Sequence, residues 1–386
     1  MKEQTRIISK LWPQRDTTPA TTINPPIYKG STVLFDNYGE MVKVSKQEYE
    51  GITYGTDRLP TQRQFETAMC ELEGGAVTRV FQSGIAAIQT SLLAFTKSGD
   101  HILVCDNAYG PAQRFCRHVL KKFNIELTLV PPNVGADIEQ YIQPNTALIL
   151  LESPGSITFE IQDIREIVAI ARTRNIVSVL DSTWATPLYL KPFDLGIDVS
   201  IHSVTKYISG YSDVLAGTAT VNDRYRSPFE KLYRQMEIYT PAEECYLALR
   251  GLYSLATRLR QHEESAIKIA KWLESLPIVD TVLHPALPSH PEHHLWARDF
   301  SGSSGLFGFT FKDEYSESQL SAFIDSLELF HLGFSWGGYK SLLTASRVNR
   351  ATPSRYAGKT IIRLSIGLEA CEDLITDLEK GLAMLP

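Results

Sequence analysis

An α/β architecture is what these 386 residues lead one to expect: a mostly parallel sheet covered by helices on both faces, a smaller α+β unit after it, and an irregular arm before it. Three features carry that expectation. Between residues 78 and 221, apolar runs of strand length alternate with stretches of helical period. From 242 to 275 the pattern stays helical long enough to lead the chain out of the sheet. Ahead of both, Pro13, Pro19, Pro25, Pro26, Gly30, Gly39, Gly51, Gly55 and Pro60 punctuate the first sixty residues, as in an arm lying on another surface.

In chain order, residues 78–81 read as a strand and 84–95 as a helix with Ile85, Ile88, Leu92 and Leu93 on one face. Residues 101–105 are a strand, 111–122 a helix, and 126–130 and 146–151 two more strands. Asp163 opens a helix with Glu166 at capping-box spacing and Ile164, Ile167, Val168 and Ala171 as its apolar stripe. Residues 176–180, 198–203 and 216–221 bring the strands to seven. Runs this continuously apolar suit a parallel sheet, whose strands are buried on both faces. The helical stretch 242–275 is broken only at Gly251, and 277–291 reads as a connection rich in Pro and His. A strand at 306–311, a helix at 316–327, a strand at 360–366 and a helix at 371–383 complete the chain. The expected domains are an arm over 1–60, an α/β domain over 61–250 and an α+β domain over 251–386.

Composition excludes several classes. With 43% hydrophobic and 21% charged residues the chain is neither disordered nor collagen-like. A net charge of −6 argues against nucleic acid, which calls for a basic footprint. No apolar run is long enough to span a bilayer, and residues 1–22 have no continuous apolar segment, so a cytoplasmic protein without a membrane partner is expected. Cys70, Cys105, Cys116, Cys245 and Cys371 are odd in number with no C-x-x-C pair, which predicts reduced thiols and no zinc site. His284, His290, His293 and His294 lack paired carboxylates and are expected on a solvated loop rather than around a metal. Gly302 to Gly308 precedes a strand, so it is no dinucleotide fingerprint, and in 333–341 Tyr339 spoils a likeness to a P-loop.

In open α/β sheets, functional groups gather past the carboxyl ends of the strands. Ser83-Gly84-Ile85 comes after the first strand and reads either as ordinary helix capping or as an anion site built from free backbone N–H groups. Tyr109 comes after the second, as a rim aromatic or as a ring that stacks on a planar ligand. Asp181 ends the run 176–180, as a helix cap or as the anion beside a cationic ring nitrogen. The next strand end, Ser203-Val204-Thr205-Lys206, decides between them. A lysine there is poorly solvated, so its amine is more readily neutral and nucleophilic, and Ser203 and Thr205 present hydroxyls on one face. An acid after one strand and Ser-x-Thr-Lys after the next is what pyridoxal phosphate (PLP) requires: a Schiff-base lysine, a carboxylate for the pyridinium, and amides and hydroxyls for the phosphate.

The stretches Ala68-Met69-Cys70-Glu71-Leu72-Glu73-Gly74-Gly75, Leu151-Glu152-Ser153-Pro154-Gly155-Ser156-Ile157-Thr158, Asp181-Ser182-Thr183-Trp184, Ser203-Val204-Thr205-Lys206-Tyr207, Ser335-Trp336-Gly337-Gly338-Tyr339 and Ile362-Arg363-Leu364-Ser365-Ile366-Gly367-Leu368-Glu369 occur in an order that resembles the Cys/Met-metabolism family of PLP-dependent enzymes. The resemblance implies the aspartate-aminotransferase-like fold (PLP fold type I), with Lys206 as the Schiff-base lysine, Asp181 at the pyridine nitrogen and Tyr109 stacked on the ring. It gives Gly84, Ile85, Ser203 and Thr205 to the phosphate, and Arg363, Ser335, Trp336 and Tyr54 to the substrate. Proton transfer to the leaving group falls to Lys206 or Tyr109. The family's arm carries Tyr-x-Arg toward the phosphate of a neighbouring subunit, but here Thr56 stands two residues after Tyr54, so Arg58 is expected to take that part in a homotetramer with shared sites. Phe334 and Trp336 around Ser335 resemble the β-eliminating branch. The expected reaction is β-elimination of L-cystathionine to homocysteine, pyruvate and ammonia, with γ-elimination or γ-replacement, or β-cleavage of other cysteine S-conjugates, as alternatives. A racemising side reaction is conceivable because it shares the Cα deprotonation. A dinucleotide-dependent dehydrogenase lacks its glycine signature here, and a non-catalytic binding protein has no need of Asp181 and Lys206 together.

Overall fold

Seven strands form one sheet: β1 (Val77–Phe81), β2 (His101–Cys105), β3 (Glu126–Val130), β4 (Thr146–Glu152), β5 (Val177–Asp181), β6 (Val199–His202) and β7 (Gly217–Val221). The computed structural model describes residues 2–10 and 22–386; residues 11–21 of the arm, with Pro13 and Pro19, lie outside the described residues. The spatial order is β1-β7-β6-β5-β4-β2-β3. Strands β2 to β6 run parallel, while β7 is antiparallel to both its neighbours, β6 and β1. Reversing twice restores the direction of β1, so the carboxyl ends of β1, β2, β4, β5 and β6 share one edge. Their apolar runs are buried throughout, apart from β3 at the sheet's end. Two apolar clusters sandwich the sheet. One includes Ile149, Leu151, Ile164, Ile167 and Leu180, and the other Ile102, Val104, Leu150, Val179 and Ile201.

A second sheet is mainly antiparallel, in the order β10-β11-β12-β9-β8, from β8 (Val279–Leu283), β9 (Leu306–Phe311), β10 (His331–Leu332), β11 (Leu342–Arg347) and β12 (Thr360–Ser365). The helices Glu317–Asp325 and Cys371–Leu382 cover it, with Phe307, Phe309, Phe323, Leu374 and Leu378 in its core.

Several elements differ from the sequence expectation. The helix Ala242–Glu274 runs unbroken through Gly251. That glycine is there for close approach: a Cβ on it would lie 2.2 Å from the Ile208 carbonyl oxygen. The segment 277–291, expected as a connection, contains β8. The helix Gly110–His118 ends early and gives way to a 3-10 turn, Leu120–Phe123. The helix Gly84–Ala94 buries Ala86, Ala87, Thr90 and Ser91 besides Ile88 and Leu92, because it is packed on more than one side. Asp163 caps the Glu166 N–H as expected, but the Glu166 carboxylate accepts from Ala136 N–H instead of closing the box.

His284 and His290 are buried, not on a solvated loop. The Nδ1 of each accepts a backbone N–H, from Ala286 and Glu292 respectively, an acceptor role that needs the neutral ring. Burial pushes His284 down to about 3 and His290 down to about 4. Among the described residues there is no cluster of metal-ligating side chains, no helix long and apolar enough to cross a membrane, and all five cysteines are free thiols.

Candidate active site

The shared strand edge opens into a pocket of about 590 Å³. It collects Gly84 and Ile85 from beyond β1, Tyr109 from beyond β2, Asp181 at the end of β5, Ser203, Thr205 and Lys206 from beyond β6, and Arg363 and Trp336 from the second sheet. Ser335 joins through Lys206, whose Nζ donates to the Ser335 hydroxyl at 2.9 Å. Tyr54 and Arg58 are not among the lining residues. Tyr54 is exposed, and the Arg58 guanidinium turns to Glu66 of its own chain at 3.5 Å.

A tight turn holds Lys206: its N–H donates to the Ser203 carbonyl at 3.1 Å, and its own carbonyl accepts from Gly210 at 2.9 Å. The amine also lies 5.3 Å from the centre of the Trp336 ring. Burial, reinforced by the nearby Arg363 charge and opposed by Asp181, pushes its pKa down to about 8. A substantial fraction of the amine is therefore neutral near physiological pH, the state a nucleophile or base requires.

At the pocket floor, Glu152 and Asp181 are opposite each other in the parallel pairing of β4 and β5. Asp181 Oδ1 accepts from the Thr183 N–H at 3.0 Å and its hydroxyl at 2.5 Å, and Thr183 Oγ1 in turn accepts from Ser203 N–H at 2.8 Å. Glu152 accepts from the Ser156 hydroxyl at 2.8 Å and the Tyr109 N–H at 2.5 Å. Burial, then the neighbouring Asp181 charge, pushes Glu152 up to about 8. Burial likewise holds Asp181 above the usual carboxylate range, against the pull of Thr183, His202 and Lys206. Two desolvated carboxylates side by side favour a cation in front of them, and a protonated pyridine nitrogen supplies one.

The opposite end suits a phosphate. Ser83 caps the helix Gly84–Ala94, its hydroxyl accepting the Ala86 N–H at 3.1 Å, which leaves the N–H groups of Gly84 and Ile85 at the pocket wall. A Cβ on Gly84 would lie 2.7 Å from the Ser203 Cβ, so glycine is what lets these two walls meet. Thr205 spends its hydroxyl on Ala216, donating to its carbonyl and accepting its N–H, both at 3.1 Å. Acid floor, lysine and anion-binding wall together fit PLP. Since the amine must be neutral to capture the aldehyde, the apoenzyme should take up PLP faster as pH rises, with a midpoint near 8. Stopped-flow absorbance checks this, and a rate flat from pH 6 to 9.5 would rule it out.

Arg363 lies on β12, whose Ile362 and Leu364 point into the core, so its side chain takes the other face. Its Nη2 donates to the carbonyls of Phe334 at 3.1 Å and Ser335 at 3.4 Å, which fixes the guanidinium, and burial pushes its pKa down to about 10. Glu152, Thr183 and Arg114 line the pocket and were given no role in the sequence reading. Glu152 had a signal, because it ends an apolar run just as Asp181 does. Thr183 and Arg114 had none beyond proximity to a strand end.

The family described as Cys/Met metabolism PLP-dependent enzyme matches residues 5–383. The cystathionine β-lyase of Escherichia coli K12 is 41% identical over 371 residues, 94% of each chain. The L-alanine/L-glutamate racemase of Wolbachia pipientis wMel is 39% identical over 380 residues, 95% of this chain and 93% of its own. Among solved structures, cystathionine γ-synthase from Xanthomonas oryzae pv. oryzae, in complex with aminoacrylate and cysteine, superposes with a TM-score of 0.90 at 30% identity, covering 100% of this chain and 98% of that one.

Proposed function

This chain belongs to the Cys/Met metabolism PLP-dependent enzymes and has their fold type I architecture, and from that premise we propose that it is a carbon–sulfur lyase cleaving L-cystathionine by β-elimination to homocysteine, pyruvate and ammonia. The observation that carries this reading is the amine of Lys206, held between the Ser335 hydroxyl and the Trp336 ring and facing Asp181 and Arg363 across one pocket.

Bound PLP supplies an electron sink for the charge that develops at the substrate Cα. Lys206 would hold it, Asp181 would keep its ring nitrogen protonated, Tyr109 would cover the ring, and Gly84, Ile85 and Ser203 would take the phosphate, joined by Thr205 once its hydroxyl turns from the Ala216 carbonyl. Arg363 clamps the α-carboxylate as a bidentate pair. As a free amine, Lys206 Nζ would take the Cα proton. As the Cβ–S bond breaks, the same nitrogen, or the Tyr109 phenol, returns a proton to the leaving sulfur. Phe334 and Trp336 bring no carboxylate to this wall, which favours β-elimination over the second deprotonation, at Cβ, that γ-chemistry needs. Incubated with L-cystathionine, the holoenzyme should accumulate pyruvate and homocysteine in equal amounts; 2-oxobutyrate with cysteine would move it to the γ-branch.

A second reading has a specific observation behind it, the 39% identical racemase. With L-alanine, which has no β-leaving group, the proton held on Lys206 has only Cα to return to, and return to the other face inverts the centre. Chiral chromatography for D-alanine tests it, and D-alanine no higher than in an enzyme-free control excludes it.

Tyr54 lies outside its own chain's pocket, and we assign it and Arg58 to the phosphate end of a neighbouring subunit in a homotetramer. Mixing Tyr54→Ala and Lys206→Ala chains should then restore activity that neither has alone, because some sites in the mixture take both intact residues. No recovery after co-refolding counts against a shared site.

A further inference from the structure

Arg350 sits on the connection between β11 and β12, and its guanidinium reaches from the second sheet to the loops of the first. Nη1 donates to the Asp106 carbonyl, and Nη2 to the Thr158 hydroxyl at 2.6 Å and the Ser156 carbonyl at 3.4 Å. Two residues on, Thr352 gives both its N–H, at 2.7 Å, and its hydroxyl, at 2.9 Å, to the Asp106 carboxylate. Asp106 begins the turn after β2 that delivers Tyr109. Ser156 and Thr158 belong to the loop after β4, just past Glu152.

Both loops line the pocket, one through Tyr109 and the other through Ser156, Ile157 and Phe159. They are also tied directly to each other. Ser156 N–H donates to the Asn107 carbonyl at 2.8 Å, and Glu152 accepts the Tyr109 N–H on one oxygen and the Ser156 hydroxyl on the other. The loop after β4 is strained: Ile157 has a φ of 69° and Phe159 one of 55°, in the left-handed region that β-branched and bulky residues avoid. Such a backbone persists only where its surroundings hold it, and the Arg350 bonds to Ser156 and Thr158 bracket Ile157. The same connection runs on into β12, which carries Arg363.

We propose that Arg350 is a positioning residue: it clamps the Tyr109 turn and the strained loop after β4 together, and so fixes the Tyr109 ring relative to Arg363. This deepens the lyase reading, since it rests on Tyr109 covering PLP. A guanidinium suits the task because its two terminal nitrogens serve one loop each, which a single ammonium cannot do in the same geometry. Without the clamp the left-handed backbone at Ile157 relaxes, Ser156 moves with it, and the Glu152 bond that seats the Tyr109 N–H loses its partner on the other oxygen.

The test reads PLP itself rather than turnover. Arg350→Met should weaken PLP about threefold to tenfold, the scale of a stacked aromatic ring, and diminish the visible circular dichroism of bound PLP, which reports how its ring is held. Arg350→Lys should behave like Arg350→Met, because the charge stays and the fork is lost. Tyr109→Ala should lose the same two signals. Arg350→Met added to Tyr109→Ala should then change the PLP dissociation constant by less than about twofold, because the ring that Arg350 positions is gone. Wild-type signals in Arg350→Met, rescue by Arg350→Lys, or an equal loss in both backgrounds overturns the proposal. A lowered unfolding temperature with both PLP signals intact overturns it too, by showing a structural role only. If Tyr109→Ala itself keeps both wild-type signals, the assignment of Tyr109 falls and the proposal with it. No pyruvate from L-cystathionine would count against the lyase reading alone, while these comparisons still decide the role of Arg350.

Discussion

Lys206→Ala should release no measurable pyruvate from L-cystathionine, a fall of about 10⁴-fold or more, the upper range for losing a positioned acid–base group. Lys206 supplies the one amine among the residues lining the pocket, and its neighbours explain why it works near neutral pH. Burial and the Arg363 charge bring its pKa down to about 8. Lys206→Arg should be as inactive, because a guanidinium stays protonated and cannot remove the Cα proton. Borohydride should fix PLP covalently to the wild type and leave the mass of Lys206→Ala unchanged. Turnover within tenfold of wild type would refute the assignment. The variant should still fold, because the lysine side chain bonds to one serine hydroxyl and to no core group.

Arg363→Ala should lower kcat/KM by about 10²–10³-fold, the cost of truncating one partner of a desolvated, hydrogen-bonded charge pair. The wild-type guanidinium is already aligned by the Phe334 and Ser335 carbonyls, so little ordering is needed when a carboxylate arrives. Arg363→Lys should recover little of the loss, since an ammonium cannot make the bidentate contact. Primary amines without a carboxylate should be indifferent to the change, which separates a clamp from a general structural role. Arg363→Ala also removes a positive charge beside Lys206, so the pKa of that amine should rise, seen as a higher midpoint in the pH dependence of PLP capture.

The seven-stranded sheet and the chemistry at its strand ends were legible in the chain because both are local. Apolar runs of strand length mark β1 to β7. The residues just past the runs, Ser83-Gly84, Tyr109, Asp181 and Lys206, are delivered to one edge once the strands are aligned. The second sheet was less legible. Strand β8 sits among prolines and histidines that imitate a loop, and β11 alternates too weakly to stand out before its partner β12 is in place. Gly251 read as a break and is a contact point, since a helix tolerates a glycine where another backbone must come within reach. His284 and His290 read as solvated and are buried, because burial belongs to the neighbours an element acquires and not to its own composition.

By itself the sequence determined the α/β class and the cofactor, and it singled out Lys206 and Asp181 as the lysine and acid we propose for it, for these rest on residue type and order along the chain. The tertiary structure alone decided how those groups behave. Burial at the sheet edge, where the register of β4 against β5 sets Glu152 beside Asp181, raises both pKa values, and burial aided by Arg363 from the second sheet lowers that of Lys206. Each is an interaction through space between distant parts of the chain, with strength set by distance and by the water excluded, and neither quantity is written in the order of the residues.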